Sequence, residues 1–272
     1  MNTNHIRWVH GVDFSGAEDA GRRIWIATCT IKGKLLEVEQ IRPGEALPHS
    51  GRQRERCLEG LRDFISNERE SIIGLDFPFG LPAKLIKQPS WENFILSFPE
   101  TFVSPQEFKL SCLRAADGFE LKRATDWEQK TPFSSYNLRL YRQTYYGIRD
   151  LICPLVRDNL AYFLPMQAPS HDKAWVIEIC PAATLKKEKL YFRYKGKSRM
   201  HYYNRLLILK RLKKAGLGIT QSDLRSKILR DSKGDALDSL IAAFAAFRAL
   251  GNLIPFNPPQ QGAYNMEGYV YA

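Results

Sequence analysis

The chain has few cysteines and histidines, and this excludes two common kinds of site. Its 272 residues include 5 cysteines and 5 histidines. The cysteines are scattered, odd in number and form no C-x-x-C pair, which argues against both a disulfide framework and a zinc site. We therefore expect a reducing compartment, the cytoplasm.

Long apolar runs are also missing. The longest, Leu240 to Phe247, is far too short to cross a bilayer, and the first residues, Met1 to Arg7, contain no apolar signal core. Internal repeats and low-complexity segments are absent, and the hydrophobic fraction of 44% is ordinary for a globular protein. These features predict one domain over residues 1–272, with no membrane partner.

Acids are scarce relative to bases. There are 29 aspartates and glutamates against 40 lysines and arginines, a net charge of +11. This excess favours an anionic partner, either nucleic acid or a phosphorylated small molecule. The bases concentrate in residues 186–214, where Glu188 is the one acid. Such a run is equally consistent with a solvated helix face.

What the chain does contain is the apolar periodicity of an α/β fold with a mixed five-stranded sheet flanked by helices. Short Gly-containing turns separate the first strands, so they form hairpins. The predicted strands are residues 8–13, 24–31, 35–41, 72–76 and 173–181, and the main helices are residues 53–67 and 235–250. Residues 83–170 are irregular and rich in aromatic residues, with helices at 105–116 and 137–156. We interpret them as a large, mostly helical insertion subdomain between strands 4 and 5.

Five acids interrupt these apolar elements. Asp13, Asp76 and Glu178 stand at the ends of predicted strands, and Asp235 and Asp238 share a face in the first turn of the last helix. Ligands of open α/β sheets bind at the carboxyl ends of strands, so these acids should meet there. Carboxylates that crowd together repel each other, and a hard divalent cation relieves the repulsion. The sequence therefore predicts a site for Mg²⁺ or Mn²⁺, with two ions if it performs phosphoryl transfer.

Each acid also has a purely structural interpretation. Asp13 and Asp76 precede turn residues and could start Asx turns. Glu178 could face water from an edge strand, and the two helix acids could simply complement the helix dipole.

Four short motifs resemble the signatures of one family. They are Gly11-Val12-Asp13, Gly74-Leu75-Asp76-Phe77-Pro78, Glu178-Ile179-Cys180-Pro181-Ala182-Ala183 and Asp235-Ala236-Leu237-Asp238-Ser239-Leu240. In this order they resemble the predicted ribonuclease H-like nuclease family, classed as domain of unknown function four-two-nine. The resemblance covers nearly the whole chain and implies a ribonuclease H-like sheet in the order 3-2-1-4-5.

The resemblance implies a metal-dependent nuclease. Asp13 would bridge two ions, Asp76 would hold one, Asp235 or Asp238 would hold the other, and Glu178 would complete a coordination shell or orient water. The residues expected to bind substrate are Ser15, Lys122, Arg123 and Arg142. Two alternatives remain open. One is a nucleic-acid-binding protein without catalysis, and the other is an ATP- or phosphate-binding enzyme of the actin and sugar-kinase type, because the loop from Gly11 to Gly16 resembles the phosphate loop of that fold.

Overall fold

The computed structural model describes residues 5–253 and 262–272, which form a central mixed sheet with helices on both faces. The strands are β1 (Trp8–Asp13), β2 (Trp25–Lys32), β3 (Leu35–Pro43), β4 (Ser71–Leu75), β5 (Tyr162–Leu164), β6 (Trp175–Ile179), β7 (Leu217–Gly218) and β8 (Val270–Tyr271). The helices are α1 (Arg54–Asn67), α2 (Trp91–Thr101), α3 (Pro105–Ala115), α4 (Ala124–Glu128), α5 (Tyr141–Tyr146), α6 (Cys153–Arg157), α7 (Pro181–Lys187), α8 (Arg199–Lys214), α9 (Ser222–Arg230), α10 (Asp235–Asn252) and α11 (Tyr264–Glu267). A π-helical turn at Gly147–Ile152 joins α5 to α6.

The strands lie in the order β5-β6-β4-β1-β2-β3-β7, and β8 pairs with β6. As the hairpin signals predict, β1, β2 and β3 form an antiparallel meander. Strand β4 pairs with β1 in parallel. The described part of the sheet has 8 strands, so the predicted number of five is wrong. The additional strands β5, β7 and β8 have 3, 2 and 2 residues, which is too short for an alternating pattern to identify a strand.

The segment 83–170 is mostly helical but also contributes one strand. It does supply the helices α2 to α6, but β5 lies within it and pairs in parallel with β6. The end of the segment is therefore part of the central sheet.

Residues that alternate along β1 face two different cores. Val9 packs into the core that contains α8, α9 and α10, whereas Val12 packs into the core formed by α1 and the helices of segment 83–170. This alternation is the normal consequence of a strand buried on both faces. The carboxyl end of β1 therefore lies between the two cores.

A glycine in β1 lets α10 lie close against the sheet. A Cβ atom at Gly11 would lie 2.1 Å from both the Ala243 nitrogen and the Ser239 carbonyl oxygen of α10. Ala242 is fully buried at this contact, and Ala246 is fully buried next to Gly74 of β4. Small residues on both sides therefore bring the first turn of α10 next to the carboxyl end of β1.

Candidate functional site

Two of the predicted acids lie side by side at the carboxyl ends of two neighbouring strands. Asp13 is the last residue of β1 and Asp76 directly follows β4. The parallel register pairs Val12 with Leu75, and the Asp76 amide donates a hydrogen bond to the Val12 carbonyl at 3.0 Å. The two strands thus end at the same level, as the sequence predicts for neighbouring parallel strands.

The first turn of α10 supplies a third acid. Asp238 is 3% exposed and Asp13 is 9% exposed, so both carboxylates are almost removed from water. Gly234 precedes the helix with φ of 84°, a left-handed conformation that glycine adopts without strain. We call Asp13, Asp76 and Asp238 the acidic cluster. Asp235 lies beside the cluster and is half-buried.

The acids raise each other's pKa values. Burial, followed by the charges of Asp238 and Asp76, raises the pKa of Asp13 well above its ordinary value. Burial and then Asp238 raise the pKa of Asp76 to about 8. Burial and then Asp231 raise the pKa of Asp235 to about 6. Carboxylates with too little positive charge around them are typical of sites that bind a cation or perform acid–base chemistry.

One ammonium group does reach the cluster. The Lys195 nitrogen lies 2.6 Å from Oδ2 of Asp238, and the Tyr194 hydroxyl donates a hydrogen bond to Oδ1 of the same carboxylate. Arg205, which is 3% exposed, holds this loop by donating to the Tyr194 carbonyl at 2.6 Å and to the Gly196 carbonyl at 3.1 Å. Lys195 also lowers the pKa values of Asp13 and Asp76, although burial and the other acids outweigh it.

The sequence did not identify Tyr194 and Lys195 as site residues. They lie in the basic run of residues 186–214, which is consistent with a solvated face. The one available signal was the insertion of Tyr191, Phe192 and Tyr194 among the bases, because aromatic residues are unusual on a purely solvated surface.

Glu178 is engaged in a buried ion network. Its side chain is 2% exposed, and its two oxygens accept hydrogen bonds from Arg123 at 2.5 and 2.8 Å and from the Phe79 amide at 2.9 Å. Arg123 also donates to Asp126 at 2.9 Å and to the Glu267 carbonyl at 3.1 Å. Glu178 lines the cavity beside the acidic cluster, but both of its oxygens already accept hydrogen bonds from the protein, so its role in metal coordination or water orientation stays a prediction.

The same network engages Arg123. Arg123 lines the cavity, but its side chain is 1% exposed and its guanidinium already donates to Glu178, Asp126 and the Glu267 carbonyl. Its role in binding substrate stays a prediction. An arginine is rarely buried unless it is paired, and the sequence near Arg123 does not reveal the distant partner Glu178. The pairing connects segment 83–170, β6 and the segment around Glu267.

The other predicted substrate contacts lie outside the cavity beside the acidic cluster. The Ser15 hydroxyl accepts a hydrogen bond from the Ala17 amide at 3.3 Å, as in a turn. Lys122 donates to the Thr131 carbonyl at 2.6 Å, and the exposed Arg142 donates to the Tyr141 hydroxyl at 2.9 Å. The structure therefore brings together Asp13, Asp76 and Asp238, but not Ser15, Lys122 or Arg142.

An open cavity of about 600 Å³ lies over the acidic cluster. This volume is within the range of small-molecule and cofactor sites. Its wall includes Lys195, Cys180 and several aromatic side chains. Burial raises the pKa of the Cys180 thiol to about 12, which favours its protonated form at neutral pH.

The present positions and partners of the acids determine whether they can hold a metal ion. Within residues 5–253 and 262–272, no three His, Cys, Asp or Glu side chains are arranged to hold a metal ion. Asp238 is occupied by Lys195 and Tyr194, so a metal would have to take the place of the ammonium group. In this arrangement the cluster is partly neutralised by the protein itself.

Comparison of the chain with protein-family models, curated proteins and solved structures found no match. The resemblance to the ribonuclease H-like nuclease family therefore stays a prediction from four motifs. Among the described residues, no helix is both long enough and apolar enough to cross a membrane.

The raised pKa of Asp76 makes a prediction for the metal-free protein. A carboxyl whose pKa is higher in the folded state stabilises the fold below its unfolded pKa, and this stability is lost as the pH rises towards about 8. An asparagine side chain cannot ionise, so Asp76→Asn should be about 1–3 kcal/mol more stable than wild type at pH 8 and nearly equal to it at pH 4. In thermal unfolding with EDTA this difference corresponds to about 2–4 °C per kcal/mol. The exposed Asp63→Asn is the control, and an equal shift at both pH values would contradict the prediction.

Proposed function

We propose that the protein is a divalent-metal-dependent nuclease of the ribonuclease H-like type, which hydrolyses phosphodiester bonds of nucleic acid. The observation that carries the proposal is the meeting of Asp13, Asp76 and Asp238, from two neighbouring parallel strands and one helix, beneath an open cavity in a chain of net charge +11. The predicted strands 1 to 5 correspond to β1, β2, β3, β4 and β6. These strands lie side by side as β3-β2-β1-β4-β6, which supports the order 3-2-1-4-5 that the resemblance implies.

The chemistry of the cluster fits Mg²⁺ or Mn²⁺. The donors are carboxylate oxygens, which these hard cations prefer, and the raised pKa values of Asp13 and Asp76 indicate that the cluster lacks compensating positive charge. Asp13, Asp76 and Asp238 would hold the metal, with Asp235 beside them. When bound, two such ions would offset the charge of the phosphate and activate water for in-line hydrolysis.

Lys195 has a defined part in this proposal. Its ammonium group now neutralises Asp238 and would be released towards the cavity when a metal takes its place. A free ammonium at the cavity wall can bind a phosphate oxygen of the substrate. Tyr194 would continue to donate its hydroxyl proton to Asp238 and keep this carboxylate oriented.

Cleavage assays test the function directly. Labelled DNA and RNA, each single-stranded and duplex, are incubated with the protein in Mn²⁺ or in EDTA. The proposal expects fragments in Mn²⁺ and none in EDTA. Intact substrates in every Mn²⁺ reaction, with the protein shown to be folded, would refute it.

Metal binding itself is tested by thermal unfolding. We expect Mn²⁺ at a hundredfold excess over its Kd to raise the Tm of the wild type by about 5 °C or more, because binding to the folded state stabilises it by about 2.7 kcal/mol. Asp238→Asn should lose most of this shift. The exposed Asp223→Asn on α9 should keep it, and equal shifts in the two variants would place the metal elsewhere.

A nucleic-acid-binding protein without catalysis is the second candidate. The observation in its favour is that Asp238 is already paired with Lys195 and Tyr194, which lets the cluster persist without a metal. This candidate predicts binding that is indifferent to Mn²⁺ and falls steeply with salt. Neutralising bases of residues 186–214 should then abolish it.

The actin and sugar-kinase alternative has less support. In a phosphate loop the glycines leave the backbone open to the ligand. Here Gly11 faces the backbone of α10, and a Cβ at Gly16 would lie 2.6 Å from the Arg142 carbonyl oxygen. Both glycines therefore serve contacts within the protein.

A further inference from the structure

Aromatic side chains stand on two walls of the cavity over the acidic cluster. Phe133, from segment 83–170, lines one wall and is half-buried. Tyr191 and Phe192, from the loop after α7, line the other and are 55% and 38% exposed. We call these three residues the aromatic trio. Rings of this size are normally buried, so their exposure around one cavity indicates a ligand with apolar faces.

Positive charges accompany the rings. The Lys186 nitrogen lies 5.2 Å from the centre of the Tyr191 ring, and the Arg139 guanidinium lies 5.2 Å from the centre of the Phe133 ring. Arg193 lines the same cavity. A ligand that stacks on the rings would therefore have cations close to its own charged groups, a combination that suits bases joined by phosphates.

The two walls are also tied together. The Lys186 ammonium donates a hydrogen bond at 2.8 Å to the carbonyl of Lys130, which lies close to Phe133 in the chain. This bond links the segment that carries Tyr191 and Phe192 to the segment that carries Phe133. A link of this kind limits the motion of the rings and so lowers the entropy cost of binding.

We propose that the aromatic trio binds unpaired bases, so that the substrate class of this site is single-stranded nucleic acid. In a duplex each base is stacked on its neighbours and offers only its edges in the grooves. In a single strand the faces of the bases are free to stack on tyrosine and phenylalanine. The inference rests on the proposed function, because it names the substrate of that site, but its binding step requires no metal.

An acidic protein segment is the main competing ligand, because it could also contact the lysine and arginine side chains and the aromatic rings of the cavity. The carboxylates of Asp13, Asp76 and Asp238 at the base of the cavity would repel the side chains of such a segment as much as they repel phosphate. A nucleic acid presents flat base faces alternating with phosphates, which matches the aromatic rings and their accompanying cations. An acidic peptide has no such flat faces between its charges, so the combination favours nucleic acid.

The test measures binding in EDTA, where no metal-dependent cleavage occurs. Fluorescence anisotropy follows labelled oligothymidylate and oligouridylate of about twenty nucleotides, together with a duplex of equal length. We expect the wild type to bind a single strand at least tenfold more tightly than the duplex, and the two single strands show whether DNA or RNA is preferred. The double variant Tyr191→Ala/Phe192→Ala should lose about tenfold or more of the single-strand affinity.

Two variants separate stacking from other effects. Tyr191→Phe keeps the ring and should bind like the wild type. Tyr203→Ala removes a tyrosine that is 58% exposed on α8 and does not line the cavity, and it should also bind like the wild type. Tyr191 and Tyr203 are more than half exposed and Phe192 is 38% exposed, so all variants should remain folded, which thermal unfolding checks.

Equal affinity for duplex and single strand, or an unchanged affinity of the double variant, would overturn the inference. Binding of an acidic polypeptide such as polyglutamate at the same affinity, lost in the double variant, would assign the trio to a protein partner and overturn it as well. Single-strand binding through the trio without cleavage in Mn²⁺ would instead refute the proposed function and leave the binding surface established. Cleavage without a contribution from the trio would refute the inference alone.

Discussion

Asp13→Asn is expected to reduce Mn²⁺-dependent cleavage of nucleic acid by about a thousandfold or more. Asparagine keeps the shape of the side chain but removes the charge at the centre of the acidic cluster. A metal at such a site contributes several kcal/mol to stabilisation of the transition state, and each 1.36 kcal/mol is about tenfold in rate. The fold should not suffer, because the charged form of Asp13 is disfavoured by burial and by its neighbours Asp238 and Asp76.

The measurement is the initial rate of cleavage of a labelled single strand over a range of Mn²⁺ concentrations. Asp223→Asn, an exposed aspartate on α9, is the matched control and should cleave at the wild-type rate. Asp13→Asn should still bind the oligonucleotide in EDTA, which separates loss of chemistry from loss of substrate. Equal rates for wild type and Asp13→Asn would remove Asp13 from the mechanism.

Arg123→Met should give the largest loss of stability, about 3–5 kcal/mol in the free energy of unfolding. The guanidinium is the common partner of Glu178 and Asp126, which are 2% exposed each. Burial alone raises the pKa of Asp126, but Arg123 outweighs burial and holds this pKa below its ordinary value. Without Arg123, two buried carboxylates remain with no opposite charge, and this costs far more than the loss of an exposed ion pair.

Urea unfolding measures this loss as a shift in the midpoint at constant slope. Arg142→Met, at an exposed arginine of the same segment, should change the stability by less than about 0.5 kcal/mol. Adding Glu178→Gln to Arg123→Met should recover part of the loss, because it removes one of the unpaired charges. A loss below about 1 kcal/mol for Arg123→Met would show that the network does not hold segment 83–170 against the sheet.

Local sequence was enough to predict the meeting of Asp13 and Asp76. Each stands where an apolar strand ends, and the helix α1 between β1 and β4 favours a parallel crossover. Strand and helix periods are properties of a few consecutive residues, so they can be detected without knowledge of the fold. The small residues of α10 let it pack closely on the sheet, and Gly11 is the matching position on β1.

The roles of the charged residues depended on contacts distant in the chain. Arg123 and Glu178 are buried partners separated by 55 positions, and nothing near either residue identifies the other. In the sequence, Lys195 looks like the other basic residues of 186–214. In the fold, Arg205 of α8 holds the loop of Lys195, and the Lys195 ammonium group pairs with Asp238 of α10. The short strands β5, β7 and β8 are defined by the neighbours with which they pair rather than by their own pattern.

The sequence by itself determined the α/β class, the antiparallel meander with β4 parallel to β1, and the position of the acids at the ends of these elements. These features follow from periodicity and turn chemistry, which act over short distances. Only the tertiary structure decided that Glu178 is paired with Arg123, that Asp238 is held by Lys195 and Tyr194, and that the aromatic trio lines the same cavity as the acidic cluster. The physical reason is that the environment of a charge or a ring is set by whatever packs around it, and those groups come from separate parts of the chain.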